Sequence, residues 1–205
     1  MPHAEKKIYE KQADINARKP IAEPGTKQHP ERNTMIFGNT KHFAIEFTVD
    51  ENSDGQWLLG RACYWLCSNQ VGDYNSGTLL RDLFLALEYI RGDKSNRMND
   101  YLFDLSKEAL VTTLHNSMFG SVNNNESLES RALDEQWAKH NIRPDVDIFD
   151  RWKIFLVENG NVGRCVYYGP SASYEECWLS NGEYDSILSL AIESFNQNHS
   201  QLPGV

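Results

Sequence analysis

The feature that most constrains the fold is a hairpin signal near the end of the chain, DRWKIFLVENGNVGRCVYYG, residues 150–169. Two runs of β-branched and aromatic residues flank Asn159-Gly160, a pair that favours a type I′ turn because both residue types tolerate positive φ. After Gly169-Pro170, the segment SYEECWLS predicts a third strand. The C-terminal part of the chain is therefore expected to form an antiparallel meander.

A second hairpin is predicted near residue 50. The stretch HFAIEFTV alternates, with Phe43, Ile45, Phe47 and Val49 on one face, as in a half-buried strand. The following run, WLLGRACYWLC, is apolar on both faces, which is typical of a central strand covered on two sides. The polar loop DENSDGQ between them carries aspartate and glycine, which favour turns.

Three helices are predicted from apolar spacing and capping residues. The first is TLLRDLFLALEYIRG, which ends at Gly92. The second begins after Ser106 as N-cap and ends at Gly120. The third, EYDSILSLAIESF, follows Ser180 and Glu183, which have the spacing of a capping box.

The order of these elements is ββαα, a polar insert at 121–144, and then βββα. Strands joined by short connections pair in an antiparallel manner, so the sequence predicts an α+β fold. We expect one antiparallel sheet built from two hairpin or meander units, with the helices packed on one of its faces. Within the insert, RALDEQWAKHNI is expected to form one short helix anchored by Trp137.

The first 34 residues differ in composition from the rest. Four of the seven prolines fall within the first 30 residues, and the apolar side chains are too sparse for a buried stripe. We expect residues 1–34 to be a polar, poorly ordered extension. A single domain is expected over 35–196, followed by a frayed C-terminus at 197–205.

Charge and cysteine content narrow the class of function. Residues 1–34 carry a net charge of +2, whereas the remainder, with 13 basic and 24 acidic residues, carries −11. An acidic body argues against a nucleic-acid partner, which would require lysine and arginine at the phosphates. No secretory signal or apolar run long enough to span a membrane is visible, so we expect neither a membrane partner nor export. The four cysteines lack CxxC spacing and are expected to be reduced, mostly buried thiols of a cytoplasmic protein.

No catalytic or cofactor-binding motif is present: the sequence has no GxSxG elbow, no phosphate-binding glycine loop and no HExxH helix. One stretch, RPDVDIFDRWK, leaves a metal-dependent hydrolase centred on Asp145, Asp147 and Asp150 as an alternative. The acid-x-lysine element that would complete such a site is absent from the next strand. An acidic surface loop before a strand is therefore the preferred interpretation.

Several segments together resemble a known family. They are MIFGNTKHFAIEFTVD from Met35, GDY at Gly72–Tyr74, LRD at Leu80–Asp82, FDRWKIFL at Phe149–Leu156 and the helix after WLSNGEYD. This pattern, over roughly residues 35–196, is similar to the immunity protein 42 family of bacterial polymorphic toxin systems. Members typically begin at the equivalent of MIFG, so the resemblance implies that the domain starts at Met35.

The resemblance implies a cytoplasmic protein, without cofactor or catalysis, that binds and inhibits a cognate toxin domain. An acidic inhibitor would suit a basic toxin, because opposite charge speeds association. An interaction scaffold with no toxin partner is a further alternative. The candidate partner-binding residues lie in acidic loops and include one aromatic anchor: Asp50, Glu51, Asp54, Asp73, Tyr74, Asp145, Asp147 and Asp150.

Overall fold

Two antiparallel sheets form the framework of the protein. The computed structural model describes residues 34–51, 57–119, 126–171 and 173–199. The strands of the first sheet are β1 (Thr34–Gly38), β2 (Phe43–Val49), β3 (Leu59–Leu66), β4 (Asn69–Val71) and β5 (Thr78–Leu79). They pair in the order β1-β2-β3-β4, and β5 pairs with the first residues of β3, beyond the end of β4. The second sheet has the order β6-β7-β8, with strands Lys153–Glu158, Val162–Tyr168 and Glu175–Ser180.

Five α-helices are found in the described part of the chain: α1 (Leu80–Arg91), α2 (Asp100–Phe103), α3 (Lys107–Phe119), α4 (Glu126–Asp134) and α5 (Glu183–His199). The first and last bury the predicted faces, α1 ends at Gly92 as predicted, and one of the two hydrogen bonds of the predicted capping box precedes α5. Leu80, Leu83, Phe84, Leu87 and Ile90 of α1 are buried, and the backbone N–H of Ser180 donates to the Glu183 carboxylate at 2.9 Å before α5. None of the described helices is long and apolar enough to cross a membrane.

The predicted α+β class with antiparallel pairing is confirmed, but the single sheet with helices on one face is wrong. The inward side chains of both sheets share one hydrophobic cluster, the central core, with α1 and α5. A second, outer cluster covers the opposite face of the second sheet, where Phe155, Val157 and Val166 meet α2, α3 and α4. Because that sheet is apolar on both faces, it must be covered twice.

The first strand was not predicted as a strand. Thr34–Gly38 pairs with Phe43–Val49 in register, with Met35 opposite Phe47 and Phe37 opposite Ile45. Met35 and Phe37 are partly buried against the central core, whereas Ile36 is exposed. This strand therefore alternates between partly buried and exposed side chains, as an edge strand does. In a strand of only five residues, such an alternation is a weak sequence signal.

The turn chemistry differs from the prediction. Only Gly160 has positive φ in the β6–β7 connection, and the backbone N–H of Asn159 donates to Val162 O at 3.3 Å. The central residues are thus Gly160 and Asn161, the pattern of a type II′ turn rather than type I′. The β3–β4 turn instead has positive φ at both Cys67 and Ser68.

The predicted helix of RALDEQWAKHNI is divided. Helix α4 ends at Asp134, Gln136 adopts a left-handed conformation, and a 3-10 turn spans Trp137–His140. Trp137 is fully buried in the outer cluster, as expected of an anchor. Residues 1–33, 120–125 and 200–205 lie outside the described residues, and so do the predictions made for them. Helix α5 continues past the predicted domain end at 196 to His199.

A buried polar centre joins several elements. The Arg97 side chain is 0% exposed and donates to Asp185 Oδ1 at 2.7 Å, Ile90 O at 2.7 Å and Lys139 O at 3.0 Å. These contacts connect the end of α1, the 3-10 turn before β6 and the first turn of α5. Every guanidinium nitrogen therefore has an acceptor, which a buried charge requires.

Two of the cysteines are bonded, in contrast to the expectation of four reduced thiols. Cys67 and Cys177 form a disulfide with a Cα–Cα distance of 5.7 Å, which links the β3–β4 turn to β8 in the other sheet. Cys63 and Cys165 are free and buried, as predicted. Burial raises the pKa of the Cys63 thiol to about 12, with Glu46 adding to the effect.

The central core supplies the first prediction. We expect Leu83→Ala to lower the free energy of unfolding by about 2 to 5 kcal/mol, because Leu83 is buried among large side chains. Leu85→Ala, on the exposed side of the same helix, is the matched control and should change it by less than about 0.5 kcal/mol. Urea denaturation of both variants measures the difference. Equal costs would contradict the assigned helix face.

The disulfide supplies the second prediction. Reduction of the purified protein should lower the free energy of unfolding by about 2 to 4 kcal/mol, because the bond closes a long loop in the unfolded chain. The variant Cys67→Ser/Cys177→Ser serves as control, since its stability should not respond to reductant. Finding four reactive thiols in unfolded protein that was never reduced would show that the bond does not form.

His140 supplies a pH prediction. It is 0% exposed, and burial lowers its pKa to about 4, although Leu156 O interacts with Nδ1. The unfolded chain, with an ordinary pKa of about 6.5, therefore binds more protons between these values, and stability falls as pH drops from about 6.5 to 4. Over this whole pH range, the free energy of unfolding should fall by about 3 kcal/mol.

The comparison that isolates this effect is His140→Gln against His42→Gln, since His42 is exposed. Burial raises the pKa of Glu158, so that side chain acts in the opposite direction and favours the folded state as pH falls. We expect His140→Gln to flatten the acid loss measured by thermal unfolding across this window. An unchanged pH profile would refute the assignment to His140.

Candidate functional site

The loop after β4 presents Asp73 in a fixed position. Asp73 is exposed, and its carboxylate accepts hydrogen bonds from the Asn75 backbone N–H at 3.2 Å and the Ser76 hydroxyl at 2.8 Å. Its own backbone N–H donates to Ile148 O at 2.9 Å. That bond joins the loop to a segment about seventy residues further along the chain, which no local sequence pattern predicts.

The joined segment is a 3-10 turn, Asp147–Phe149, preceding β6. Ile148 and Phe149 are buried and hold the turn against the central core. Asp147 is exposed, and its Oδ1 accepts from the Thr78 hydroxyl at 3.0 Å and from the Ile148 backbone N–H at 2.8 Å. The structure thus places Asp73 and Asp147, both predicted partner-binding residues, along one cleft.

The two other acidic residues of this segment are paired within the protein. Arg143 contacts Asp145 at 2.8 Å and Asp150 at 3.4 Å, and both carboxylates remain largely exposed. Their charge is therefore partly balanced by Arg143. Among the described residues, no group of three or more histidine, cysteine, aspartate or glutamate side chains is arranged to hold a metal ion. The hydrolase alternative thus gains no support from this segment.

The candidates in the β2–β3 loop lie at the same end of the first sheet. Asp50 follows Val49, which pairs with Gly60, and Gly60 pairs in turn with Thr78, the residue that contacts Asp147. The Asp50 backbone N–H donates to Leu59 O at 3.0 Å, and Glu51 is exposed. Asp54 lies outside the described residues.

Tyr74 differs from an exposed aromatic anchor. It is half-buried, and its hydroxyl lies 2.7 Å from Thr48 Oγ1, which in turn lies 2.8 Å from Thr34 Oγ1. Burial raises the pKa of the Tyr74 phenol. The Tyr74 side chain is therefore partly packed against the first sheet, and only the rest of it is open to a partner.

A cleft that the sequence did not predict adjoins the acidic loops. We call it the Trp152 groove; it consists of two clefts of about 320 and 300 Å³ that share Trp152. The first is lined by Gly72, Asp73, Ser76, Asp147, Ile148, Arg151, Trp152 and Pro170. The second is lined by Asn69, Gln70, Trp152, Tyr167, Tyr168, Gly169, Ser171, Ser173 and Glu175.

The signal for Trp152 was present in the sequence but ambiguous. Tryptophans are more often core residues than binding anchors, and only a position at the end of a strand favours exposure. Trp152 immediately precedes β6 and is half-buried. The groove could not be predicted from the sequence because its walls come from separate parts of the chain, at 69–76, 147–152, 167–171 and 173–175.

Comparisons with known proteins place the chain. The sequence profile of the family described as immunity protein 42 matches residues 35–194. The fold is similar to that in the crystal structure of CdiI from Burkholderia dolosa AUO158, with a TM-score of 0.59 and 20% sequence identity, covering 78% of this chain and 99% of that chain. At this identity the likeness concerns the fold alone. A comparison with curated proteins found no match.

Proposed function

The chain belongs to the immunity protein 42 family, and from this premise we propose that it binds a cognate toxin domain in the cytoplasm and neutralises it. The observation that carries the proposal is the family match over residues 35–194. Proteins of such a family are typically non-catalytic and act by binding.

The acidic loops are our proposed contact surface. Loops on a rigid scaffold commonly carry binding residues, and the carboxylates of Glu51, Asp73, Asp145, Asp147 and Asp150 are exposed or largely so. The net charge of −11 outside residues 1–34 would attract a basic toxin domain. Asp50, Asp54 and Tyr74 belong to the same proposal because they lie in or beside these loops in the sequence.

Neutralisation can be tested by co-expression. The C-terminal domain encoded by the gene directly upstream, where the proposed function predicts the toxin, is expressed in a bacterial host with and without the present chain, and survival and co-purification are scored. Rescue together with a stable complex supports the proposal. Host death despite abundant folded protein would contradict it.

Charge reversal tests the contact surface. Replacing Asp50, Asp73, Asp145 and Asp150 by Lys should slow association with the toxin and weaken its salt dependence, because steering depends on local charge. Thermal unfolding verifies that the variant is folded, because Asp50 is half-buried and Asp145 and Asp150 pair with Arg143. Association rates at several salt concentrations provide the measurement.

The matched control reverses four exposed carboxylates on the helices, Asp82, Glu108, Asp134 and Glu193. Both variants change the net charge equally, so a difference between them reports position rather than total charge. If the loop variant associates as fast as the wild type, the contact lies elsewhere, and the exposed helix faces become the next surface to test.

A further inference from the structure

The Trp152 groove has a rigid aromatic wall. Trp152 is partly buried against the central core. A Cβ atom on Gly169 would lie 2.6 Å from its ring, so the indole packs directly on that glycine backbone. Since no side chain at position 169 separates the two, the ring is held in place, and its remaining surface lines both clefts. A fixed aromatic surface loses little conformational entropy on binding, as interface anchors require.

The groove carries three carboxylates and one guanidinium, a net charge of −2, from Asp73, Asp147, Glu175 and Arg151. Neutral groups hold each carboxylate: amide or hydroxyl donors for Asp73 and Asp147, and the Ser173 hydroxyl for Glu175 at 3.0 Å. No lysine or arginine of the described residues forms an ion pair with any of the three. Asp145 and Asp150, by contrast, share Arg143.

The aromatic side chains show the same contrast. Within the described part of the chain, Arg131 lies over Trp137 at 5.6 Å and Arg164 over Trp178 at 5.7 Å. No cation of that part occupies the Trp152 ring. The groove therefore combines an indole and three carboxylates, both of which bind cations well, and its own guanidinium, Arg151, forms no ion pair or cation–π contact with them.

We propose that the Trp152 groove receives an arginine of the toxin domain, whose guanidinium stacks on Trp152 and pairs with Asp73 and Asp147. Arginine fits better than lysine because its planar group stacks on aromatic rings and binds carboxylates through two parallel hydrogen bonds. Glu175, at the other end of the groove, holds a second polar group of the same toxin segment. This inference rests on the proposed function, since the occupant is the toxin.

Dissociation kinetics distinguish the groove from general steering. Anchors in a desolvated groove control the rate of dissociation, whereas charges at the rim control association. We expect Asp73→Asn/Asp147→Asn to raise the dissociation rate from the neighbouring-gene toxin domain by about tenfold or more. The matched control, Asp82→Asn/Glu108→Gln, removes the same charge from exposed helix positions outside the proposed contact surface and should leave dissociation within about twofold.

The aromatic wall is tested separately. Trp152→Leu retains an apolar side chain on the core and should also raise the dissociation rate about tenfold. Trp178→Leu, at an exposed tryptophan of β8, is its control. Thermal unfolding verifies that each variant is folded. If Trp152→Leu does not fold, the Asp73/Asp147 pair provides the test alone, since both side chains are exposed.

An arginine scan of the toxin identifies the occupant. One Arg→Ala change in the toxin should raise dissociation by a similar factor, and combining it with Asp73→Asn/Asp147→Asn should add little further effect. A wild-type chain that fails to bind the toxin would overturn the proposed function and the groove with it. Wild-type binding with unchanged dissociation in all folded groove variants would overturn the groove alone.

Discussion

The buried contacts of Arg97 hold together the parts of the structure that the two sheets do not. Its side chain donates to the Ile90 carbonyl near the end of α1, to the Lys139 carbonyl of the 3-10 turn Trp137–His140 and to the Asp185 carboxylate of α5. Its backbone O accepts from the Glu158 N–H at the end of β6. A buried guanidinium is stable only when every donor is satisfied, so these elements are constrained relative to one another by one residue.

The consequence for the second sheet is direct. The segment around Arg97 covers the free edge of β6, through the backbone bonds of residues 97 and 99 with Glu158, and Ile142 covers the same edge near Ile154. An uncovered edge would offer unpaired backbone groups to another chain. In this protein, residues of the long connection between the sheets form the backbone hydrogen bonds that a further strand would form in a larger sheet.

The elements were largely predictable from local sequence, and their arrangement was not. Some features are determined by residues that are close together in the sequence. They include the apolar repeat of α1, the capping residues Ser106 and Ser180, and the three C-terminal strands. Three other features depend on contacts between residues that are distant in the sequence. They are the division into two sheets, the packing of α2, α3 and α4 on Phe155 and Val157, and the Cys67–Cys177 disulfide. The Asn159-Gly160 pair predicted the hairpin correctly. Glu158 lies opposite Gly163, however, so the two central residues of the turn are one position later in the sequence than predicted.

The same distinction applies to the candidate site. Exposed aspartates can be predicted from sequence because acidic residues in loops are seldom buried. The structure divides them by chemistry instead: Asp145 and Asp150 share a cation, and Asp73 and Asp147 have only neutral partners. The neutral donors orient these two carboxylates without cancelling their charge. An incoming cation therefore displaces no internal ion pair, and its charge–charge interaction is not offset by the loss of another. The arrangement thus separates two kinds of charged group: Arg97 and Asp185 pair with each other inside the scaffold, whereas Asp73 and Asp147 are exposed and have neutral donors only.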